Sequence, residues 1–177
     1  MAAEDRARRG RVKALHRKAE VRGEHGLPKP EVAEVTVDRA GIVGDFNRYR
    51  HEERRDDPDM AVLLIPQETL DELNREGWPV RSGDLGENIT TEGLSYAAFQ
   101  PGTRVRVGGA LLEVSKACVP CDNLHLLPYV GRQRGPEFLK TMLGRRGWFA
   151  RVLREGRVHT TDPIELEVGG SARATSP

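Results

Sequence analysis

Short runs in which apolar and polar residues alternate recur along the chain, and this period of two is typical of β-strands. One run, residues 61–65, is apolar throughout and also predicts a short strand. The predicted strands cover residues 11–16, 32–37, 61–65, 89–91, 103–107, 111–115, 148–153, 158–160 and 164–168. The pair Gly108-Gly109 and the turn at residues 154–157 each join two runs, which predicts two β-hairpins.

Only two segments have a helical pattern. The first begins at Pro66, which suits the first position of a helix, and ends at Gly77. The second covers residues 136–143 and ends at Gly144. Residues 46–59 carry charges of both signs and little apolar character, which predicts an exposed, mobile loop. Many strands and two brief helices together predict a mostly β fold, a barrel or a sandwich.

Length and composition predict a single globular domain. The chain has 177 residues, of which 37% are hydrophobic and 31% charged. We expect the domain to cover residues 10–168, with flexible tails at residues 1–9 and 169–177. The net charge of +1 gives no bulk electrostatic attraction for nucleic acid or an anionic membrane. A polar N-terminus and the lack of a long apolar stretch indicate no membrane segment and a cytoplasmic protein.

The two cysteines, Cys118 and Cys121, follow a predicted strand in a C-x-x-C spacing. A reactive thiolate is favoured by nearby positive charge such as Lys116, and Pro120 restricts the backbone before Cys121. The pair also suits thiol–disulfide exchange, whereas a structural zinc site needs four ligands and no second cysteine pair exists. The alternative is two inert thiols, because free cysteines are among the most buried residues.

A glycine-punctuated segment, residues 83–94, places a carboxylate beside a carboxamide. Gly86 permits a left-handed turn or a close backbone approach to a ligand. Glu87 offers a carboxylate for a cation, and Asn88 offers both amide functions to a ligand. The alternative is a turn in which both side chains bond backbone N–H groups. Asp45, which follows another glycine, has the same two interpretations.

Arginines and one histidine complete the candidate residues. His51 lies among charged residues, where a solvated side chain is the common outcome. Paired guanidinium groups favour phosphate, although alternating arginines are also typical of a solvated strand face. The arginines concerned are Arg145, Arg146, Arg151, Arg154 and Arg157.

Together these motifs resemble the MOSC family, the domain named after the C-terminal part of molybdenum-cofactor sulfurase. The resemblance extends over roughly residues 10–168. The matching stretches are residues 41–45, the Gly-Glu-Asn-Ile-Thr-Thr-x-Gly-Leu run within 83–94, residues 101–108, the Pro120-Cys121 pair and residues 147–153. The resemblance implies a β-barrel similar to the pyruvate-kinase barrel, and a standalone member of bacterial type.

The resemblance also implies site residues and a cofactor. Cys121 matches the cysteine that carries sulfur as a persulfide or ligates molybdenum, and Cys118 is placed to modulate it. A soft thiolate suits both roles. The molybdenum cofactor, a molybdopterin, is the implied ligand, and Arg151 is the implied contact for its phosphate. The residues expected to shape the pocket are Asp45, Glu87, Asn88 and Thr90.

Two departures from the family pattern bear on this expectation. Cys118 stands where many relatives have a basic residue, and residues 46–51 replace a segment rich in histidine and glycine. The chain also lacks the pyridoxal-phosphate desulfurase domain of fused relatives. We therefore expect any sulfur to come from a partner. The expected partners are a cysteine desulfurase or a molybdoenzyme, together with a small-molecule ligand.

Three hypotheses about function follow. The first is a protein that carries sulfur or handles the molybdenum cofactor through Cys121, with a catalytic role in sulfur transfer. The second is a cofactor-independent thiol enzyme that acts on a small sulfur- or nitrogen-containing metabolite with Cys121 as nucleophile. The third is a non-catalytic barrel that binds a partner and whose cysteines are inert.

Overall fold

The computed structural model describes residues 8–167, which contain eleven β-strands and three α-helices. The strands are β1 (Arg9–His16), β2 (Glu31–Val32), β3 (Glu34–Asp38), β4 (Gly41–Ile42), β5 (Val62–Pro66), β6 (Ile89–Glu92), β7 (Arg104–Val107), β8 (Ala110–Ala117), β9 (Trp148–Arg154), β10 (Gly156–His159) and β11 (Pro163–Glu167). The helices are α1 (Arg48–Arg54), α2 (Gln67–Arg75) and α3 (Gly131–Thr141). None of the described helices is long and apolar enough to cross a membrane.

Seven strands close into a barrel, which confirms the predicted fold. Strands β1, β6, β5, β9, β8, β7 and β11 follow one another around the barrel, and β11 pairs back with β1. Neighbouring strands are antiparallel except for the parallel pair β5–β6. Strand β2 extends the sheet beside the end of β1, and β10, β3 and β4 form a separate three-stranded sheet. Closure leaves the barrel strands without free edges.

The barrel is filled by the side chains that alternate inward along its strands. This barrel core includes Leu64, Ile89, Leu112 and the loop residue Phe99, all fully buried. Strand β5 is apolar throughout because both of its faces are covered: Leu64 faces the barrel core and Ile65 packs in a second cluster. That second cluster, the helical layer, joins β5 to α2 and α3 and includes Leu70, Leu73, Trp78, Phe138 and Met142.

Helix α1 lies in the segment predicted as an exposed loop. None of its residues is buried, but the prediction of a loop was wrong. The Asn47 side chain accepts a hydrogen bond from the Arg50 backbone N–H at 3.1 Å, which caps the helix start. Arg48 and Glu52 are paired one turn apart at 4.0 Å, and the chain leaves the helix at Arg55 in a left-handed conformation. Because no residue of α1 is buried, no apolar period indicates it in the sequence.

The Gly108-Gly109 hairpin is confirmed, but the predicted hairpin across residues 148–160 is wrong. Strand β9 pairs with β8 and β5, whereas β10 leaves the barrel and pairs with β3. Gly156 packs directly against Gly109: a Cβ at Gly156 would overlap the Gly109 carbonyl carbon, so no side chain fits there. This close approach directs the chain out of the barrel, and the sequence of a single turn does not indicate such a contact.

Helix α2 is confirmed, and it is followed by Gly77 at φ +92°. Helix α3 begins at Gly131, five residues before the predicted start, and Pro136 lies inside it rather than at its first position. Proline was a misleading start signal here, because the preceding turn of α3 is polar and glycine-containing. Helix α1 is therefore the one α-helix in the described residues that was not predicted. Of the predicted tails, Arg8 and Arg9 are described, and Arg9 belongs to β1. Residues 1–7 and 169–177 lie outside the described residues, as does Val168 at the predicted end of the domain.

Candidate functional site

Polar side chains converge at one end of the barrel and are almost completely withdrawn from solvent. They come from the end of β1, the loop before β2, the turn after β4 and the turn that enters β6. We call this group the buried polar cluster, and its members are His16, Lys29, Asp45, Glu87, Asn88 and Thr90. The barrel brings them together because β1 and β6 are neighbours, although more than 70 residues separate them in sequence.

Asp45 is the centre of the cluster. Its Oδ2 accepts hydrogen bonds from Lys29 Nζ at 2.6 Å and from Asn88 Nδ2 at 2.9 Å, and its Oδ1 accepts one from the Lys18 backbone N–H at 2.9 Å. Burial lowers the pKa of the Lys29 ammonium below its usual value, and the contact with Asp45 opposes that shift. The buried ion pair is therefore kept in place by the hydrogen bonds around it.

Asn88 ties two barrel strands to the cluster. Its Oδ1 accepts a hydrogen bond from the Leu63 N–H at 3.1 Å, and its own backbone N–H donates to the Leu63 carbonyl at 2.9 Å. The second amide hydrogen of Asn88 reaches the His16 carbonyl at 3.4 Å. Both functions of the carboxamide are thus bonded within the protein. The turn interpretation of Asn88 describes these contacts, and its predicted cofactor contact stays a prediction.

A chain of hydroxyl and carboxyl groups continues from Glu87. Glu87 Oε1 accepts hydrogen bonds from the Gly83 N–H at 2.6 Å and from Thr90 Oγ1 at 3.1 Å. Ser82 Oγ lies 2.5 Å from Thr90 Oγ1 and 2.8 Å from His16 Nε2. Two atoms in this series of bonded groups, Glu87 Oε2 and His16 Nδ1, are buried and have no hydrogen-bond partner among the described residues. Each retains unused hydrogen-bonding capacity.

The turn before Glu87 requires glycine at position 83. Gly83 has φ +89°, and a Cβ there would lie 2.7 Å from His16 Nδ1. Asp84 fixes the same turn, because its Oδ2 accepts from the Arg81 N–H and the Tyr129 hydroxyl, each at 2.9 Å. The glycine therefore serves close packing against the histidine ring.

The two cysteines have opposite environments. Cys118 follows β8 directly, is 9% exposed, and packs against Met60, Leu63 and Phe149. Cys121 is exposed at the start of a short 3-10 turn. Both thiols are free. Burial raises the pKa of the Cys118 thiol, and the positive charge of Arg146 opposes that shift. Cys121 is thus the accessible thiol, and Cys118 the sheltered one.

Arg145 and Arg146, adjacent in sequence, also differ. The Arg145 guanidinium forms a paired contact with the Glu76 carboxylate at 2.6 and 2.8 Å. Arg146 is 5% exposed and lies near Cys118, Lys29 and Tyr96. Its Nε and Nη1 are buried and have no hydrogen-bond partner within the described residues. The sequence grouped both as a patch, whereas the structure leaves only Arg146 with buried, unused donors.

The remaining predicted residues lie apart from the cysteines. Arg151 on β9 lies opposite Glu113 on β8, and Glu113 precedes Cys118 by five residues. The Arg151 Nε is 3.1 Å from Asp59 Oδ1. His51 is exposed, and its Nδ1 is 3.1 Å from Asp56 Oδ1, as expected for a solvated histidine. The predicted phosphate contact through Arg151 stays a prediction.

Sequence reasoning missed Lys29 and His16 as members of the cluster. His16 follows Val12 and Ala14 at the period of two that places them on the buried face of β1, so a signal was present. Lys29 lies between Pro28 and Pro30, in a loop that carries no period. No group of three or more His, Cys, Asp or Glu side chains that could hold a metal occurs within residues 8–167.

Comparisons with known proteins agree with the fold and with the motifs. A family model described as the MOSC domain matches residues 50–165. Protein YiiM of Escherichia coli (strain K12) is 28% identical over 138 residues, a match that covers 75% of this chain and 59% of YiiM. The chain therefore spans less than two thirds of that curated relative.

Solved structures give the same result for the fold. The YUAD protein from Bacillus subtilis superposes with a TM-score of 0.72 at 20% identity, covering 89% of this chain and 95% of that one. YiiM from Geobacillus stearothermophilus superposes with a TM-score of 0.63 at 25% identity, covering 88% of this chain and 73% of that one.

Proposed function

The chain belongs to the MOSC family, and from that premise we propose that it carries sulfur or handles the molybdenum cofactor through the Cys121 thiol. The observation that supports this proposal is the contrast between an exposed Cys121 and a buried Cys118 three residues before it. An exposed thiol is open to a protein donor or to a cofactor. A reducing compartment such as the cytoplasm suits a pair of free thiols.

The proposed sulfur transfer begins with a persulfide on a partner, for example a cysteine desulfurase. The Cys121 thiolate attacks the terminal sulfur of that persulfide, a new S–S bond forms on Cys121, and the partner's thiolate leaves. Cys121 then holds the sulfur as a persulfide. Attack by the Cys118 thiolate on Cys121 Sγ would release hydrosulfide and leave a disulfide. Burial of Cys118 keeps that second step slow, because it disfavours the thiolate.

The molybdenum cofactor fits the cysteine better than it fits the four polar residues predicted to bind it. Cys121 supplies an exposed soft donor, which suits a thiophilic metal. Asp45, Asn88 and Thr90 already bond other protein groups, and Glu87 is fully buried. We propose that these four residues hold this end of the barrel in shape rather than touch the cofactor. When bound, the cofactor would supply two-electron chemistry at molybdenum.

The test of this proposal is the intact mass of freshly purified protein with and without reductant. We expect a reductant-sensitive increment of one sulfur atom in the parent and its absence in Cys121→Ser. The matched control is Cys118→Ser, which removes the neighbouring thiol and should retain or lengthen the life of the persulfide. An increment that persists in Cys121→Ser would contradict the proposal.

A second measurement separates sulfur transport from the alternatives. If the parent has no sulfur increment and its Cys121 is alkylated quickly, the next assay is for a pterin that co-purifies with it. Turnover of a small sulfur- or nitrogen-containing metabolite without a pterin would favour a thiol enzyme with Cys121 as nucleophile. Slow alkylation of both thiols would favour a non-catalytic barrel.

A further inference from the structure

We propose that Arg146, beside Cys118, binds an oxyanion group of a small ligand: a phosphate, a sulfur oxyanion or a carboxylate. The proposal does not depend on which thiol carries sulfur or on whether a pterin binds. It concerns the buried side of the C-x-x-C segment, and assigns a role to a residue that makes no hydrogen bond through Nε or Nη1.

The first observation is the unused capacity of the Arg146 side chain. The residue is 5% exposed, and both Nε and Nη1 are buried without a partner among the described residues. A guanidinium group keeps its charge under all ordinary conditions, so it cannot avoid the energetic cost of a buried charge by losing a proton. Buried polar groups in folded proteins are bonded in the great majority of cases. A ligand that accepts hydrogen bonds from these two N–H groups would satisfy the hydrogen-bonding capacity of the side chain.

The second observation is that the neighbouring cations are already paired. Arg145 is held by the Glu76 carboxylate and Lys29 by the Asp45 carboxylate. Lys29 lies close enough to Arg146 for the two positive charges to interact. An anion entering this region therefore finds Arg146 as the cation with donors to spare.

The third observation places the site next to the thiols. The Cys118 N–H donates to the Gly147 carbonyl at 2.8 Å, so the backbone beside Arg146 lies against the start of the C-x-x-C segment. Because burial raises the pKa of the Cys118 thiol, the neutral thiol predominates and does not neutralise the guanidinium. The Tyr96 hydroxyl, bonded to the Gly147 carbonyl at 3.2 Å, lies in the same region. These groups together form one side of the proposed site.

The experiment is a titration of the full chain with inorganic phosphate, sulfate and acetate, each against chloride at equal ionic strength. Heat release on binding and the shift of the thermal midpoint are both recorded. Arg146→Met removes the charge and keeps a side chain of similar length, and Arg146→Lys keeps the charge. Arg145→Met is the matched control, because it removes an adjacent arginine whose donors are occupied by Glu76.

We expect at least one anion to bind saturably to the parent, and the anion with the highest affinity identifies the oxyanion class. Arg145→Met should keep an affinity within about twofold of the parent, whereas Arg146→Met should weaken it by at least about tenfold. Arg146→Lys should lie between these two. The bound anion should also slow alkylation of Cys118 in the parent and leave Cys121 unaffected.

Three results would overturn the proposal. They are the absence of saturable binding in all three anion series, an unchanged affinity in Arg146→Met, and an equal loss in Arg145→Met. The thermal midpoint of each variant in chloride shows whether it is folded, and Arg146→Lys supplies a second reading if Arg146→Met is not.

Discussion

The barrel core and the buried polar cluster are equally withdrawn from water but differ in what holds them together. Ile89 and Thr90 are neighbours on β6, and both are 0% exposed. Ile89 packs in the barrel core, whereas the Thr90 hydroxyl donates to Glu87 in the polar cluster. Two adjacent residues of one strand therefore lie in different environments, one in apolar packing and the other in a hydrogen-bond network.

The two regions contribute differently to stability. Apolar burial stabilises the barrel through area removed from water, about 25 cal/mol per Å². Buried charges such as Lys29 and Asp45 lose their hydration, and their mutual attraction offsets that loss only when their hydrogen bonds are complete. A network of this kind adds little stability. Leu63 connects it to the sheltered thiol, because its N–H bonds Asn88 and its side chain packs against Cys118, and this connection favours a role in shaping a site.

The largest effect should come from a cavity in the barrel core. Phe99 is fully buried, and Phe99→Ala is expected to lower the free energy of unfolding by about 3–5 kcal/mol. Urea denaturation gives this value. The alkylation rate of Cys121 in the folded fraction should stay unchanged, because the barrel core does not include it. A loss below about 1 kcal/mol would contradict the packing described for this residue.

Breaking the Lys29–Asp45 ion pair should lower the free energy of unfolding slightly less than Phe99→Ala does. Asp45→Ala leaves the Lys29 ammonium buried without its partner, and we expect a loss of about 3 kcal/mol of unfolding free energy. The control is the double variant Asp45→Leu with Lys29→Met, which removes both charges and should recover part of the loss, because the Lys18 N–H and the Asn88 amide still lose their acceptor. If the double variant is as unstable as the single one, the ion pair does not account for the effect.

The two adjacent arginines should respond in opposite directions when the buffer contains only chloride. Arg146→Met removes a buried cation without bonded donors, and the free energy of unfolding should stay the same or rise by about 1 kcal/mol. Arg145→Met removes a partly exposed pair with Glu76 and should lower the free energy of unfolding slightly. Denaturant titrations of both variants side by side test this order, and the reverse order would contradict it.

The smallest effect should be a pH dependence from Cys118. Burial raises its pKa in the folded state, so the unfolded chain releases the thiol proton first as pH rises. The stability contributed by the neutral thiol is therefore complete below the ordinary thiol pKa and decreases through the folded value. Cys118→Ala lacks this dependence. Unfolding free energies of the two proteins should converge at alkaline pH, and parallel curves would contradict the sheltered position of Cys118.

The local pattern of apolar and polar residues was sufficient to predict most barrel strands. For β8, both the alternation and the glycine pair before it are visible in the sequence. Membership of the site was harder to predict, because closure of the barrel brings His16 and Asn88 together from distant parts of the chain. Lys29 lies in a loop without a period. Pairing of β10 with β3, and the position of Arg146 beside Cys118, depend on contacts that no local motif encodes.

The most direct test that Cys121 is the working thiol is the rate of alkylation at each cysteine in the native protein, followed by mass spectrometry of the peptides. The exposed Cys121 should react at least about tenfold faster than Cys118, since burial and a raised pKa both slow the latter. Denaturation should abolish the difference. Equal rates in the native protein, or faster labelling of Cys118, would contradict the assignment of Cys121 as the working thiol.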